Sequence, residues 1–286
     1  MNSFDGEQLD SRLRSVYLNI VVEEDPISRA AVYYANTLCS QEGAHLTVDI
    51  ATIALDIPSG RLVAEIGGLL EQVNSERRRI ATSEMNQIEV GARLAGITAD
   101  CRVVNAALAQ MRENFLNIAR TKDVIVLPKP VGTLATSQSI FESLLFESGR
   151  PIIIIPPEWD SGCSFEHVVV AWDASREAAR AVGDAIPFLK RAKTIDIACV
   201  STESKETAAG ADLAAHLSRH CRGSLRLSEL PASSDIGETL QAFVRTVGPD
   251  LTVMGAFGHS RWREYFLGGV TVNFLETSTV PLFISH

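Results

Sequence analysis

One pattern of residues occurs twice in this chain, and that repeat constrains the fold more than any other feature. Asp123-Val-Ile-Val-Leu127, then Arg150-Pro151-Ile-Ile-Ile-Ile155, returns as Asp250-Leu-Thr-Val-Met254, then Val280-Pro281-Leu-Phe-Ile284. The segments ahead of each pair repeat too. In the second half, Val168–Ala171 reads as a buried strand, and Asp173-Ala-Ser175 opens a helix to Lys190 with Ala179, Val182, Ile186 and Leu189 on one face. A strand over Ile195–Val200 follows, then a helix over Asp212–Arg222 with Gly223 as its stop. Leu225–Leu227 is a third strand, and Ile236–Val247 an amphipathic helix broken by Gly248-Pro249. Leu251–Met254, a helix over Val270–Glu276 and the strand Pro281–Ile284 complete the unit.

The first half follows the same order. Its strands are Leu18–Val22, Leu46–Ile50, Cys101–Val104 and Asp123–Leu127, with the last at Ile152–Ile155. Helices run up to Leu38, over Ile66–Ala95 and over Ala106–Ala119. Alternation of this kind builds a parallel sheet covered on both faces. The expected fold class is α/β, as two tandem doubly wound domains, each with a five-stranded parallel sheet. Their expected bounds are 1–157 and 163–286, joined at the turn-rich Pro156–Gly162. A length of 286 residues suits two domains of about 140.

Composition narrows the function classes. The net charge is −9 and the basic residues are scattered, which argues against a nucleic-acid surface. Ile152–Ile155, flanked by prolines, is far below a membrane span, so no membrane is expected. The acidic opening from Met1 to Asp10 lacks the apolar run of a secretory leader. Five cysteines, odd in number and without a CxxC, point to reduced thiols and a cytoplasmic protein.

Chemistry concentrates near the C-terminus. The strand Leu251–Met254 runs into Gly255-Ala-Phe-Gly258, nine residues from His259 to Leu267, and then Gly268-Gly269-Val270-Thr271. Glycines between a strand and a helix let backbone N–H groups approach a phosphate, and the helix adds unpaired donors and partial positive charge. Neither GxxxxGK[ST] nor GxGxxG occurs. The residues alone leave open both a phosphate site and a turn cluster without a ligand.

With these pieces in place, the chain resembles the universal stress protein family in its tandem form, in element order over nearly its whole length and in motif over its second half. Members of that family that bind ATP carry Gly, two residues, Gly, nine residues, Gly and then Ser or Thr. Gly255, Gly258 and Gly268 match that spacing, while Gly269 replaces the hydroxyl residue. The resemblance implies a fold like that of the adenine nucleotide α-hydrolases. It also implies a site in which Asp173, Ala171, Val200 and Met254 surround the adenosine, and Gly255, Gly258, Gly268, Gly269, Val270 and Thr271 hold the phosphates. The implied ligand is ATP, or ADP or AMP, with Mg²⁺ as an accompanying ion. In single-domain relatives the final strands pair between subunits, so here the two halves are expected to pair within one chain. A homodimer and an unidentified protein partner are further expectations.

Gly269 removes a hydrogen bond to a terminal phosphate worth roughly 1.5–3 kcal/mol, so weaker binding is expected. Arg261 and Arg263 in the spacer offset part of that loss or form a solvated face. In the first half Pro128-Lys129-Pro130 stands at the motif position, and the path from Pro128 to Pro151 is three residues shorter than that from Gly255 to Pro281. Proline has no N–H to offer a phosphate. Asp25 matches Asp173, which leaves that half a cleft without a cradle.

Other signals are weaker. Gly258-His259-Ser260 lacks the second glycine of a nucleophile elbow, because Trp262 stands there. His216 and His220, with Cys221 adjacent, have no further ligand at metal-site spacing. Trp172 reads as a base-stacking group or a wall of the cleft, and Glu76–Arg79 as a solvated helical face. Around the glycines His259 is the lone candidate base, and Glu264 lies inside the spacer. The expectation is therefore a nucleotide-responsive binder that hydrolyses ATP very slowly or not at all. A ligand-free interaction module and a slow ATP hydrolase are the alternatives.

Overall fold

A computed structural model describes residues 13–22, 28–53, 64–130, 135–201, 204–231, 235–256 and 269–286. The first half comprises β1 (Ser15–Val22), α1 (Arg29–Glu42), β2 (His45–Ile53), α2 (Ala64–Leu94), β3 (Ala99–Ala106), α3 (Leu108–Ala119), β4 (Val124–Pro128), α4 (Ala135–Glu147) and β5 (Ile152–Ile155). The second comprises β6 (His167–Ala171), α5 (Arg176–Leu189), β7 (Thr194–Ser201), α6 (Ser204–Leu217), β8 (Ser224–Pro231), α7 (Ile236–Val247), β9 (Leu251–Gly255), α8 (Gly269–Thr277) and β10 (Leu282–Ser285).

The strands lie in one sheet in the order β3-β2-β1-β4-β5-β10-β9-β6-β7-β8. Neighbours within each half are parallel, whereas β5 and β10 pair antiparallel, with Phe283 opposite Ile153. Two five-stranded units therefore form a single ten-stranded sheet with matching topology on either side of the central pair. Both central strands are fully buried, and their lack of side-chain charge suits a position covered on both faces.

The repeated aspartates do the same job in each half. Asp123 Oδ2 accepts from the backbone N–H groups of Arg14 and Ser15, both at 2.8 Å. Asp250 Oδ2 accepts from the His167 N–H at 2.9 Å and the Ser164 hydroxyl at 3.1 Å. Each carboxylate thus fixes the start of its half's first strand beside the fourth. The prolines correspond as well: the carbonyls of Pro151 and Pro281 accept from Ile125 and Thr252.

Apolar side chains alternate across the sheet into two cores. One face packs Leu18, Ile20, Val48, Val170 and Ile197 under α1, α2, α5 and α6. The other packs Ile125, Ile154, Val169, Met254 and Ile284 under α3, α4, α7 and α8. Helix ends follow local chemistry: Ser28, Ser175 and Asp235 accept N-terminal N–H groups, and Gly43 and Gly248 close α1 and α7 in left-handed conformation.

Beneath α3, the second core holds a polar inlay. Asp49 is fully buried and accepts from Tyr17 Oη at 2.7 Å and from Arg102 Nε and Nη2 at 2.5 and 2.9 Å. Burial, reinforced by the Asp49 charge, drives the Tyr17 phenol well above its ordinary value.

Three sequence expectations change. In α5 the buried face is Ala178, Ala181, Val182, Ala185, Phe188 and Leu189, so Ala179 points to solvent. The helix expected over Asp212–Arg222 runs from Ser204 to Leu217. Gly223 instead enters β8, where a Cβ would stand 2.2 Å from the Ala192 carbonyl oxygen. Close backbone approach, not a helix stop, requires that glycine. Among the described residues no helix is long and apolar enough to cross a membrane.

Candidate functional site

In a doubly wound sheet, ligands sit beyond the C-terminal ends of the strands where the connections diverge. In the second half that point lies between β6 and β9, which pair from Val168 opposite Leu251 to Val170 opposite Val253. Ala171 ends β6, Met254 and Gly255 end β9, and Val200 lies two residues beyond Ala198, the partner of Ala171. These residues share one edge of the sheet. Ala171, Val200, Met254 and Val270 belong to the same apolar cluster, with Met254 nearly fully buried. The carbon skeletons there offer an apolar wall.

Asp173 follows β6 on the solvent side, and its Oδ1 accepts from the Ser175 N–H at 2.9 Å. Between them Ala174 has a φ of 57°, a left-handed conformation that a residue with a Cβ rarely adopts. The turn thus holds the Asp173 carboxylate beside the first turn of α5, where Ser175 Oγ accepts from the Ala178 N–H at 3.1 Å. Trp172 is a wall rather than a free stacking surface: its backbone N–H donates to Ala198 O at 2.9 Å and its indole N–H to Ala209 O at 3.2 Å.

Gly255 sits hard against that same helix turn. A Cβ there would come within 2.4 Å of the Ala178 nitrogen and 2.5 Å of the Glu177 carbonyl carbon. The missing side chain lets the end of β9 and the start of α5 touch, which narrows the crevice between them. Ala256 then donates to Ser285 O at 2.8 Å, and the His286 ring meets the Ala256 carbonyl at 3.1 Å.

Glu177 is the titratable group that sequence reasoning passed over. Its carboxylate is buried beneath α5, takes a hydrogen bond from the exposed Arg176 guanidinium, and lies in the field of His286. Burial opposes ionisation, but Arg176, the helix backbone and His286 prevail and hold the carboxyl below 4.5. An Arg-Glu pair at a helix start carries no spacing signal that would have singled it out.

Gly269 opens α8, Val270 is half-buried and Thr271 is buried in its first turn. Gly258 and Gly268 lie outside the described residues, as do His259, Ser260, Arg261, Trp262, Arg263, Glu264 and, in the first half, Asp25. The His216 and His220 rings stand 4.8 Å apart between centroids. Among the described residues no group of three or more His, Cys, Asp or Glu is arranged to hold a metal.

In the first half the corresponding crevice is built differently. Pro128 ends β4 opposite Ile155, and Lys129 reaches across the central strands to the carbonyls that end α8. A proline and a committed ammonium occupy the place that glycines hold in the second half.

The comparisons with known proteins follow this geometry. The sequence profile of the universal stress protein family matches residues 164–286. A universal stress protein from Archaeoglobus fulgidus DSM 4304 superposes with a TM-score of 0.67 at 16% identity, over 94% of this chain and 97% of that one. A functionally unknown protein from Pseudomonas aeruginosa PAO1 does so at 0.54 and 11%, over 96% and 92%. At these identities the likeness speaks to the fold, which is shared along the full two-unit chain. No curated protein matches the sequence. Residues 164–286, with the strand order, the Asp-bearing turn and the glycine-ended fourth strand described above, are a domain of the universal stress protein family.

Proposed function

We propose that this chain is a stress-response regulator of the tandem type whose C-terminal domain binds one adenine nucleotide. The ligand is ATP, or ADP or AMP, with Mg²⁺ accompanying the phosphates. One observation carries the reading. Ala171, Val200, Met254 and Gly255 lie at the ends of adjacent strands along a single edge, Asp173 follows the first of these strands, and a helix starts at Gly269. Between the last strand and that helix runs the segment with Gly258 and Gly268 at the family's spacing.

In this reading the apolar wall of Ala171, Val200 and Met254 takes the adenine face, and the Asp173 carboxylate accepts from ribose hydroxyls. Gly255, Gly258, Gly268 and Gly269 approach the phosphates closely, and the first N–H groups of α8, at Val270 and Thr271, meet negative charge with the positive end of the helix dipole. Hydrolysis would need a positioned base and a charge-stabilising group beyond this cradle. The function is therefore binding, with the occupied state read by a protein partner. The first half, with Pro128 lacking an N–H and Lys129 engaged elsewhere, takes no nucleotide. Five free thiols suit a reducing compartment, and the cytoplasm is the proposed location.

A ligand-free interaction module is the competing reading, favoured by Gly269 in place of a hydroxyl residue. Mass spectrometry of small molecules released on denaturing the purified protein separates the two. An adenine nucleotide at close to one per chain supports binding, and an empty protein that also fails to take up added ATP supports the module.

A further inference from the structure

Helix α2 is far longer than its neighbours, and it carries two apolar faces. One faces the body of the protein, burying Asn74, Ala81, Ile88 and Ala92. The other faces solvent: Leu69, Val73, Ile80, Val90 and Leu94 are all exposed, Leu69 by 63% and Leu94 by 85%. At 100° per residue these five fall within one stripe about 100° wide, running about 38 Å along the helix. Their steps also follow a heptad. Leu69, 76, 83 and Val90 form one set of positions, and Val73, Ile80, 87 and Leu94 the other, so alternate steps are four and three residues.

We propose that this stripe is the seam of an antiparallel coiled coil with α2 of a second copy of the chain. The seam is self-complementary when reversed about a two-fold axis between Ala81 and Thr82. Leu69 then meets Leu94 of the second copy, Val73 meets Val90, and Ile80 packs over Ser83. Of the three polar seam positions, Ser83 lies under Ile80 while the other two meet each other, so the Glu76 carboxylate faces the Gln87 amide rather than an apolar side chain. Arg79, on the other flank, already donates to both Glu76 carboxylate oxygens, at 2.6 and 2.8 Å, and each oxygen keeps a further lone pair for the Gln87 amide.

Charge fits the same orientation. Arg77 and Glu84 are half-buried on one flank of the stripe, seven residues apart, and among the described residues neither has an ion-pair partner. In an antiparallel pair this flank faces its own copy, so each Arg77 meets Glu84 of the other chain, twice per dimer. A parallel pair in register would instead turn the Arg77 flank away from its own copy and set Glu76 against Glu76 in the seam, placing like charges together.

Sedimentation equilibrium of the full chain over a concentration series tests this. The expected mass is twice the 31.0 kDa chain. Ile80→Glu, exposed and hence harmless to the fold, should raise the dimer dissociation constant by at least about tenfold. Arg77→Glu or Glu84→Arg alone should raise it about threefold, and the double swap should restore it. Leu69→Cys mixed with Leu94→Cys should form a disulfide-linked pair under oxidation, whereas Val90→Cys alone, about 26 Å from its own copy along the seam, should not. A monomer at all concentrations would overturn the proposal. So would a dimer indifferent to Ile80→Glu, or one cross-linked by Val90→Cys alone.

Discussion

The Lys129 ammonium donates to the Glu276 carbonyl at 2.7 Å and to the Ser278 carbonyl at 3.3 Å, so a side chain of the first half closes the last turn of α8 in the second. Helix C-termini leave carbonyls unpaired and carry partial negative charge, and a lysine answers both. Partial burial lowers the lysine pKa, while Glu158 and Glu276 oppose that shift. Because the opposite end of α8 begins at Gly269, Lys129 in the first half steadies the helix whose start belongs to the proposed nucleotide site in the second.

Lys129→Met should therefore lower stability by about 1–2 kcal/mol, the scale of one charge-assisted hydrogen bond at a partly exposed site. Thermal unfolding of the variant should show a lower Tm, with Lys129→Arg recovering part of the loss. An unchanged Tm would mean that water replaces the lysine at no cost.

Gly255→Ala sets a methyl group 2.4 Å from the Ala178 nitrogen, in a crevice formed by backbone on both sides. Neither side can swing away as a flexible side chain would. A loss of about 2–4 kcal/mol is expected from the overpacking, read by urea denaturation. Gly248→Ala, at an αL helix cap with open space around it, should cost less, about 1 kcal/mol, from backbone strain alone.

Glu177 predicts a pH dependence with a definite sign. Its folded pKa lies below 4.5, so its ionised form stabilises the native state. That contribution is complete above the unfolded value and disappears as pH falls through the folded one. Stability measured by denaturant titration should drop less steeply below pH 4.5 in Glu177→Gln than in the wild type. Parallel acid branches would show that Arg176 pairs with Glu177 too weakly to matter.

Gly269→Ser restores the hydroxyl that family members present to a terminal phosphate. The gain should be about tenfold in affinity for ATP and much smaller for AMP, since only the triphosphate reaches that hydroxyl. Isothermal titration with both nucleotides reads the difference. Equal effects on ATP and AMP would place residue 269 away from the terminal phosphate.

Much of this was legible because it follows from periodicity and punctuation. The Asp-strand-Pro-strand repeat announced two equivalent units, and buried runs such as Ile152–Ile155 read directly as central strands. Single residues were misread where the sequence signal was shared between two physical causes. Gly223 resembled a helix stop because glycines at stops and at close backbone contacts look alike in sequence. Ala179 fitted a helical spacing that a small residue satisfies on either face. Helix α4 was not delineated, since Thr136, Ser137, Gln138 and Ser139 dilute its apolar periodicity. Lys129 and Glu177 carry out long-range or buried electrostatic work that leaves no local pattern. At the candidate site, the ends of the strands and the start of α8 were readable from apolar runs and the glycines that follow them. The roles of Ala171, Asp173, Val200 and Met254 rest on the family resemblance, and the contact of Gly255 with α5 needed three dimensions.

The most direct test titrates ATP into the wild type and Gly258→Val in parallel by calorimetry, with thermal unfolding as a control for folding. The account predicts one site per chain in the wild type and none in the variant, at an unchanged Tm. Two equivalent sites, or undiminished binding by a folded Gly258→Val, would contradict it.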